Sequence, residues 1–118
     1  MLWRVHADTR AGDDFNPGFG STRFAPIGPV RKRVPTAYAA EGFEAAVYET
    51  IFHDLDPAEP FKTYPLSKLA EVRCSQVRVV SPLALRSFLT PDLMKLGLAR
   101  HQLIDTTARE FPDTRRWS

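Results

Sequence analysis

The sequence predicts an α+β fold, a compact mixed domain of short strands and helices in which residues 1–118 form a single domain. Three observations carry this. A chain of 118 residues fits one domain of ordinary size. Phe43, Val47 and Ile51 repeat at i, i+4 and i+8, the spacing of one helix face. Leu2-Trp-Arg-Val5 and Gln76-Val-Arg-Val-Val80 are rich in the aliphatic, aromatic and β-branched residues that suit a pleated sheet.

In chain order, Leu2–Val5 is the first strand, and residues 6–22 follow as a long loop with Gly12, Gly18 and Gly20. A loop of that length in a compact domain is usually functional, and its glycines let backbone approach a ligand closely. Residues 23–27 are expected to be extended, Gly28-Pro29 and Arg31-Lys-Arg33 to form a second loop, and residues 36–40 to form a strand around Tyr38. Residues 41–55 are the clearest helix. Ala45, Tyr48 and Phe52 add a second apolar side to the Phe43 face, so the helix is expected to be buried. Its start lacks a good cap, and Pro57 and Pro60 end it. Residues 66–80 read as strand-like, and Ser81-Pro82 breaks them. A short helix over 82–89 is followed by one from Thr90-Pro91-Asp92 to Leu96, stopped by Gly97. Residues 106–111 form a helical turn, and Asp113 is expected to cap a last helix running to Ser118. That helix has about one turn and no C-cap. The chain therefore reads as a fragment, or as a domain whose closing strands are supplied elsewhere, with a frayed tail as the alternative.

Composition narrows the class. At 43% hydrophobic and 25% charged residues the chain is an ordinary globular protein. No apolar run approaches the roughly 20 residues of a membrane span, and no secretory signal opens the chain. The lone Cys74 forms no internal disulfide, which fits the cytoplasm, and it is expected to be structural. Net charge is +2, too small for a nucleic-acid binder, and no basic face with interleaved aromatics appears. Residues 1–60 carry net −3 and residues 61–118 net +5, a balance suited to a phosphate-bearing ligand or an acidic partner.

Arg23, Tyr38 and Glu49 are the leading site candidates, fit for an anionic, ring-bearing ligand such as a dinucleotide. Glu49 lies on a mostly apolar helix. It is either a core carboxylate paired with an arginine or one facing a cleft, able to stabilise the oxocarbenium-like ribose that forms when a nicotinamide–ribose bond breaks. Arg23 closes the Gly-rich loop and can grip phosphate bidentately, or serve as a surface cation. Phe24 beside it either offers a ring face or anchors the loop. Arg4 shares the face of Leu2 and would seek an anion, Glu49 or a ligand phosphate. Tyr38 precedes Glu49 by eleven residues and can stack on a base or pack in the core. Tyr48 is a weaker candidate. His53-Asp54 reads as the end of a helix whose dipole the histidine complements. No Cys/His spacing suits a metal, and no Gly-rich dinucleotide or phosphate motif is present.

Gly20-Ser-Thr-Arg-Phe24, the stretch from Ala37 through Glu49 to Asp54, and Thr114-Arg-Arg-Trp117 together resemble the RES domain family, named for its Arg, Glu and Ser. The resemblance covers nearly the whole chain and is most specific over residues 36–54. It implies a fold similar to ADP-ribosyltransferases and a bacterial toxin of a toxin–antitoxin pair. Such a toxin consumes NAD+ by phosphorolysis or hydrolysis of the nicotinamide–ribosyl bond, or by ADP-ribosylating a protein. It implies an Xre-type helix-turn-helix antitoxin as partner, NAD+ as substrate with inorganic phosphate as a co-substrate, and no other cofactor. By position, Arg23 matches the NAD-binding arginine, Tyr38 the tyrosine on the nicotinamide side and Glu49 the catalytic glutamate. The family serine falls on a later strand, and Ser118 does not occupy its place. A non-catalytic module that only binds its antitoxin is the rival reading.

Overall fold

A computed structural model describes residues 1–53, 55, 58–61 and 63–117. Helices and a two-stranded antiparallel sheet make the fold mixed α+β. The chain forms two units, each built from two separated segments: Met1–Asp14 with Ala37–Pro82, and Phe15–Thr36 with Leu83–Ser118. No helix of the described residues is long and apolar enough to cross a membrane.

In the first unit, strand β1 (Leu2–Ala7) pairs antiparallel with β2 (Val72–Val77), with Leu2 opposite Val77 and Ala7 opposite Val72. The strand predicted over 2–5 thus runs two residues further. Its other edge carries one bridge, in which Trp3 and Ala40 exchange N–H···O bonds of 2.7 and 2.8 Å. Helix α1 (Phe43–Val47) packs on β1, with the Phe43 ring meeting the Trp3 ring edge-on at 5.3 Å. A single π-helical turn, Tyr48–Phe52, continues it. The helix predicted over 41–55 is therefore shorter and changes pitch midway. It is not buried either: only Ala46 is, because one side alone meets the sheet, and Phe43 and Tyr48 stay largely exposed. Its N-cap is Gly42, with no side-chain cap. Pro57, expected to end this helix, lies outside the described residues. The strand-like stretch predicted over 66–80 divides instead into helix α2 (Leu66–Ala70) and β2, with Glu71 as the hinge residue between them. Gly12 lets the loop after β1 lie against β2. A Cβ there would fall 2.6 Å from Ser75 Cβ, closer than packed atoms allow. Cys74, expected to be structural, is exposed.

In the second unit the Asn16 side chain folds the Gly-rich loop. Its Oδ1 accepts from the amides of Gly18 and Phe19 at 2.9 and 2.8 Å, and its Nδ2 donates to the Phe19 carbonyl. Bridges between Asn16 and Thr36 and between Ile27 and Val34 close the two loops. Residues 36–40 thus form no strand, only an extended run whose two ends make isolated bridges. Residues 23–27, expected to be extended, are bent and include a cis Ala25–Pro26 peptide. Helix α3 (Thr90–Lys95) has Pro91 in its first turn and ends as predicted at Gly97. There the Gly97 amide bonds to Met94 O and the Leu98 amide to Leu93 O, both at 3.0 Å, a Schellman end that requires the positive φ of Gly97.

The helix predicted over 82–89 is absent. Pro82 to Phe88 have no regular structure, and Leu83 and Leu85 remain exposed. Helix α4 (Arg100–Leu103) was not foreseen; Gln102 Oε1 accepts from the Ala99 amide at its start. A 3₁₀ turn (Ala108–Glu110), helix α5 (Phe111–Thr114) and a second 3₁₀ turn (Arg115–Trp117) follow. Asp113 lies inside α5 and does not cap a helix, because Pro112, which needs no amide partner, starts the helix earlier. Ser118 lies outside the described residues. Leu93 and Leu103, both fully buried, centre this unit's core, together with Ala25 and Thr114.

Candidate functional site

Arg4, Tyr38 and Glu49 belong to the first unit, Arg23 and Phe24 to the second. Glu49 sits in the π-helical turn. Such turns are rare and frequent at functional sites, since the extra residue in the ring shifts the side chains off the α-helical positions. Its carboxylate is exposed and makes no hydrogen bond or ion pair among the described residues. The paired core glutamate is thereby excluded, and so is a buried one: the carboxylate is open to whatever approaches. Around it the turn is aromatic. Tyr48 meets Phe52 edge-on at 6.2 Å, and Phe52 meets Tyr64 at 6.0 Å. Thr50, the next residue, lines a cleft of about 600 Å³ with His6, Asp8, Tyr64, Lys68 and Glu71. Glu49 itself is not part of that lining.

Among the described residues Arg4 meets no anion. Its Nη1 donates to the Gly12 carbonyl at 2.8 Å, a neutral partner that pins the first loop to β1. Of the anions expected for it, Glu49 is not met among the described residues, and Arg4 clamps the loop through this bond. Tyr38 lies on the extended run before Ala40, 52% exposed, so it is no core tyrosine. His53 follows the π turn as its C-cap, and Asp54, its predicted companion, lies outside the described residues.

Arg23 is half-buried and held from several directions. Its Nε donates to Thr106 Oγ1 at 3.0 Å and its Nη2 to the Thr106 carbonyl at 3.1 Å. Its guanidinium carbon stands 5.6 Å from the centre of the Phe111 ring. Thr114 Oγ1 donates to the Arg23 carbonyl at 2.5 Å, fixing the backbone. Phe24 turns the other way and stacks on Phe88, ring centres 5.6 Å apart at 19°. This contact anchors the loop, one of the two roles foreseen for Phe24. A mere surface cation needs none of this bracing.

Thr106, Phe111 and Thr114 escaped the sequence reading. Thr106 and Thr114 lie 83 and 91 residues from Arg23, and no local spacing marks any of the three. Nearby, Arg100 pairs with Asp105 through Nε and Nη2 at 3.1 and 2.9 Å, and this pairing lowers the Asp105 carboxyl below its usual range and raises Arg100. Asp105 thus gives both its oxygens to Arg100, and the nearby Arg23 charge adds a smaller share to the lowering of its carboxyl. Among the described residues no three His, Cys, Asp or Glu side chains group as metal ligands.

The units also differ in charge. The one holding Glu49 has six Lys/Arg and ten Asp/Glu, net −4; the one holding Arg23 has ten and four, net +6. Comparison with curated proteins and with solved structures gave no match. The family model described as RES domain matches residues 1–118, the whole chain, which accordingly belongs to the RES domain family, a family linked to toxin–antitoxin systems.

Proposed function

We propose that this chain is the NAD+-degrading toxin of such a pair, acting in the cytoplasm and restrained by an Xre-type helix-turn-helix antitoxin. The observation that carries the reading is Glu49: an exposed carboxylate, unpaired among the described residues, on a π-helical turn. In NAD+ cleavage the bond between the nicotinamide nitrogen and ribose C1′ breaks. The electron pair leaves with the nicotinamide, neutralising its pyridinium, and positive charge develops on the ribose. Glu49 stabilises that charge, and its unpaired state keeps the full negative charge available. Inorganic phosphate or water then forms the new C1′–O bond and sheds its proton. Arg23 grips the pyrophosphate, and Tyr38 packs its ring on the nicotinamide side. The charge of the unit bearing Arg23 agrees in sign with that role, since it is cationic and NAD+ carries an anionic pyrophosphate. An ADP-ribosyltransferase-like fold belongs to the same proposal.

The test is release of free nicotinamide from NAD+, with and without phosphate. Glu49→Gln keeps the shape and removes the charge, and is expected to slow release by about a hundredfold or more, the usual loss for one transition-state stabiliser. Turnover by Glu49→Gln equal to that of the native chain would overturn the role of Glu49. A native chain that binds the antitoxin but releases no nicotinamide would establish the non-catalytic module instead.

A further inference from the structure

Arginine can grip an anion along either of two edges of its guanidinium, the Nε/Nη2 side or the Nη1/Nη2 end, each a pair of parallel N–H groups. In Arg23 one edge is already committed. The Nε–H goes to Thr106 Oγ1 at 3.0 Å and an Nη2–H to the carbonyl of the same residue at 3.1 Å, so Thr106 occupies the side edge much as a carboxylate would. Nη1 donates to no atom of the described residues. The Phe111 ring beneath the guanidinium, 5.6 Å from Cζ, fixes the tilt of the plane. Thr114, only 1% exposed, holds the Arg23 carbonyl and so the point from which the side chain springs. Thr106 is itself buried at 8% exposure, so its hydroxyl and carbonyl are not free to wander. The anion that could compete, Asp105, is engaged by Arg100 on both of its oxygens.

We infer that Thr106, with Phe111 beneath, is a positioning residue that presents the Nη1/Nη2 end of Arg23 to the phosphate oxygens of the ligand. This rests on the reading that Arg23 grips the NAD+ pyrophosphate. A long side chain with many rotamers loses entropy when a ligand orders it, and a fork fixed beforehand removes that cost from binding. Thr106 therefore acts on affinity for the pyrophosphate more than on bond cleavage, because both ground state and transition state carry the same pyrophosphate. Phosphate that enters end-on also approaches along the axis of the side chain, which makes Arg23 intolerant of lysine. A single ammonium cannot satisfy the Thr106 hydroxyl and carbonyl and still offer two parallel donors outward.

The test measures NAD+ binding by calorimetry on the full chain, with KM and kcat for nicotinamide release, in Thr106→Val, Thr106→Ser, Phe111→Leu and Arg23→Gln. Thr106→Val keeps the volume and deletes the acceptor on Nε. It is expected to weaken binding and raise KM by about tenfold while kcat falls less than about threefold. Thr106→Ser restores the acceptor and is expected to restore the affinity. A merely structural role would lower the melting temperature without this split between KM and kcat and without rescue by serine. If Arg23→Gln abolishes binding and Thr106→Val binds as the native chain does, the positioning role is overturned and the role of Arg23 stands. If Arg23→Gln binds NAD+ as the native chain does, the reading of Arg23 fails, and the positioning role with it. Should Thr106→Val fail to fold, Phe111→Leu decides: it removes the ring, keeps apolar bulk, and is expected to raise KM by about threefold with kcat little changed. An unchanged KM in that variant would overturn the inference.

Discussion

Replacing Thr114 by Val tests whether one buried hydroxyl holds the Arg23 loop. Thr114 is 1% exposed, and its hydroxyl donates to the Arg23 carbonyl at 2.5 Å, with the Phe111 carbonyl a second acceptor at 3.1 Å. Valine fills the same space, so no cavity opens and the cost is confined to the hydrogen bond. The Phe111 carbonyl keeps a donor, the Arg115 Nε at 3.0 Å. The Arg23 carbonyl has no other partner among the described bonds, and an acceptor orphaned in this part-buried setting costs on the order of 1–3 kcal/mol. Taking about 2 kcal/mol, and about 4 °C per kcal/mol for a chain of this size, the melting temperature should fall by about 8 °C. Thermal unfolding followed by circular dichroism reads this directly, and urea unfolding should show a lower midpoint at an unchanged slope. A Thr114→Val protein that melts within about 1 °C of the native chain would refute the reasoning, because the carbonyl would then have found water or another donor at no cost.

Two further outcomes follow from local chemistry. Gly97→Ala meets no atom within 4 Å, so its expected cost of about 1–2 kcal/mol is backbone strain alone, from φ +71° at the end of α3; denaturant titration checks it. Glu110 Oε2 accepts from the Thr107 amide at 2.7 Å and hydroxyl at 3.0 Å, the amide bond being the larger cause of a carboxyl held below its ordinary value. A lowered carboxyl contributes stability above its unfolded-state value of 4.5 and loses it as pH falls through the lower folded one. Melting curves at about pH 5 and about pH 3 should therefore converge slightly in Glu110→Gln relative to the native chain, a small effect because the pair is solvent-exposed.

What was legible from the sequence was local. Leu2–Val5 as a strand needs only its own residues, and Thr90 to Gly97 carries both its start, Pro91, and its stop in a glycine. The helix around Glu49 was visible from its apolar spacing, but periodicity assumes a uniform pitch and so missed the π turn at Tyr48–Phe52. Residues 82–89 had helical composition and a helix-starting proline, yet their leucines found no surface to cover and no helix formed. At the candidate site, residue types picked out Arg23 and Glu49, since a cation closing a Gly-rich loop and a carboxylate on an apolar helix are odd in themselves. What holds Arg23 was invisible because Thr106, Phe111 and Thr114 reach it only through the tertiary fold. For Arg4 the strand position was legible but this partner was not, because a backbone carbonyl of the next loop, rather than Glu49, accepts from its Nη1.

The order in which the chain is made bears on Arg23. Its two clamps join residues 83 and 91 positions apart, and the unit that contains them is assembled from the stretches 15–36 and 83–118, with most of the other unit translated in between. A growing polypeptide that has produced residue 23 therefore carries an arginine with no fixed direction until Thr106 and Thr114 have emerged and folded back on it. Translation products that stop before Thr106 therefore lack both side-chain bonds that brace Arg23, and its direction is set only when the second stretch of its unit has left the ribosome.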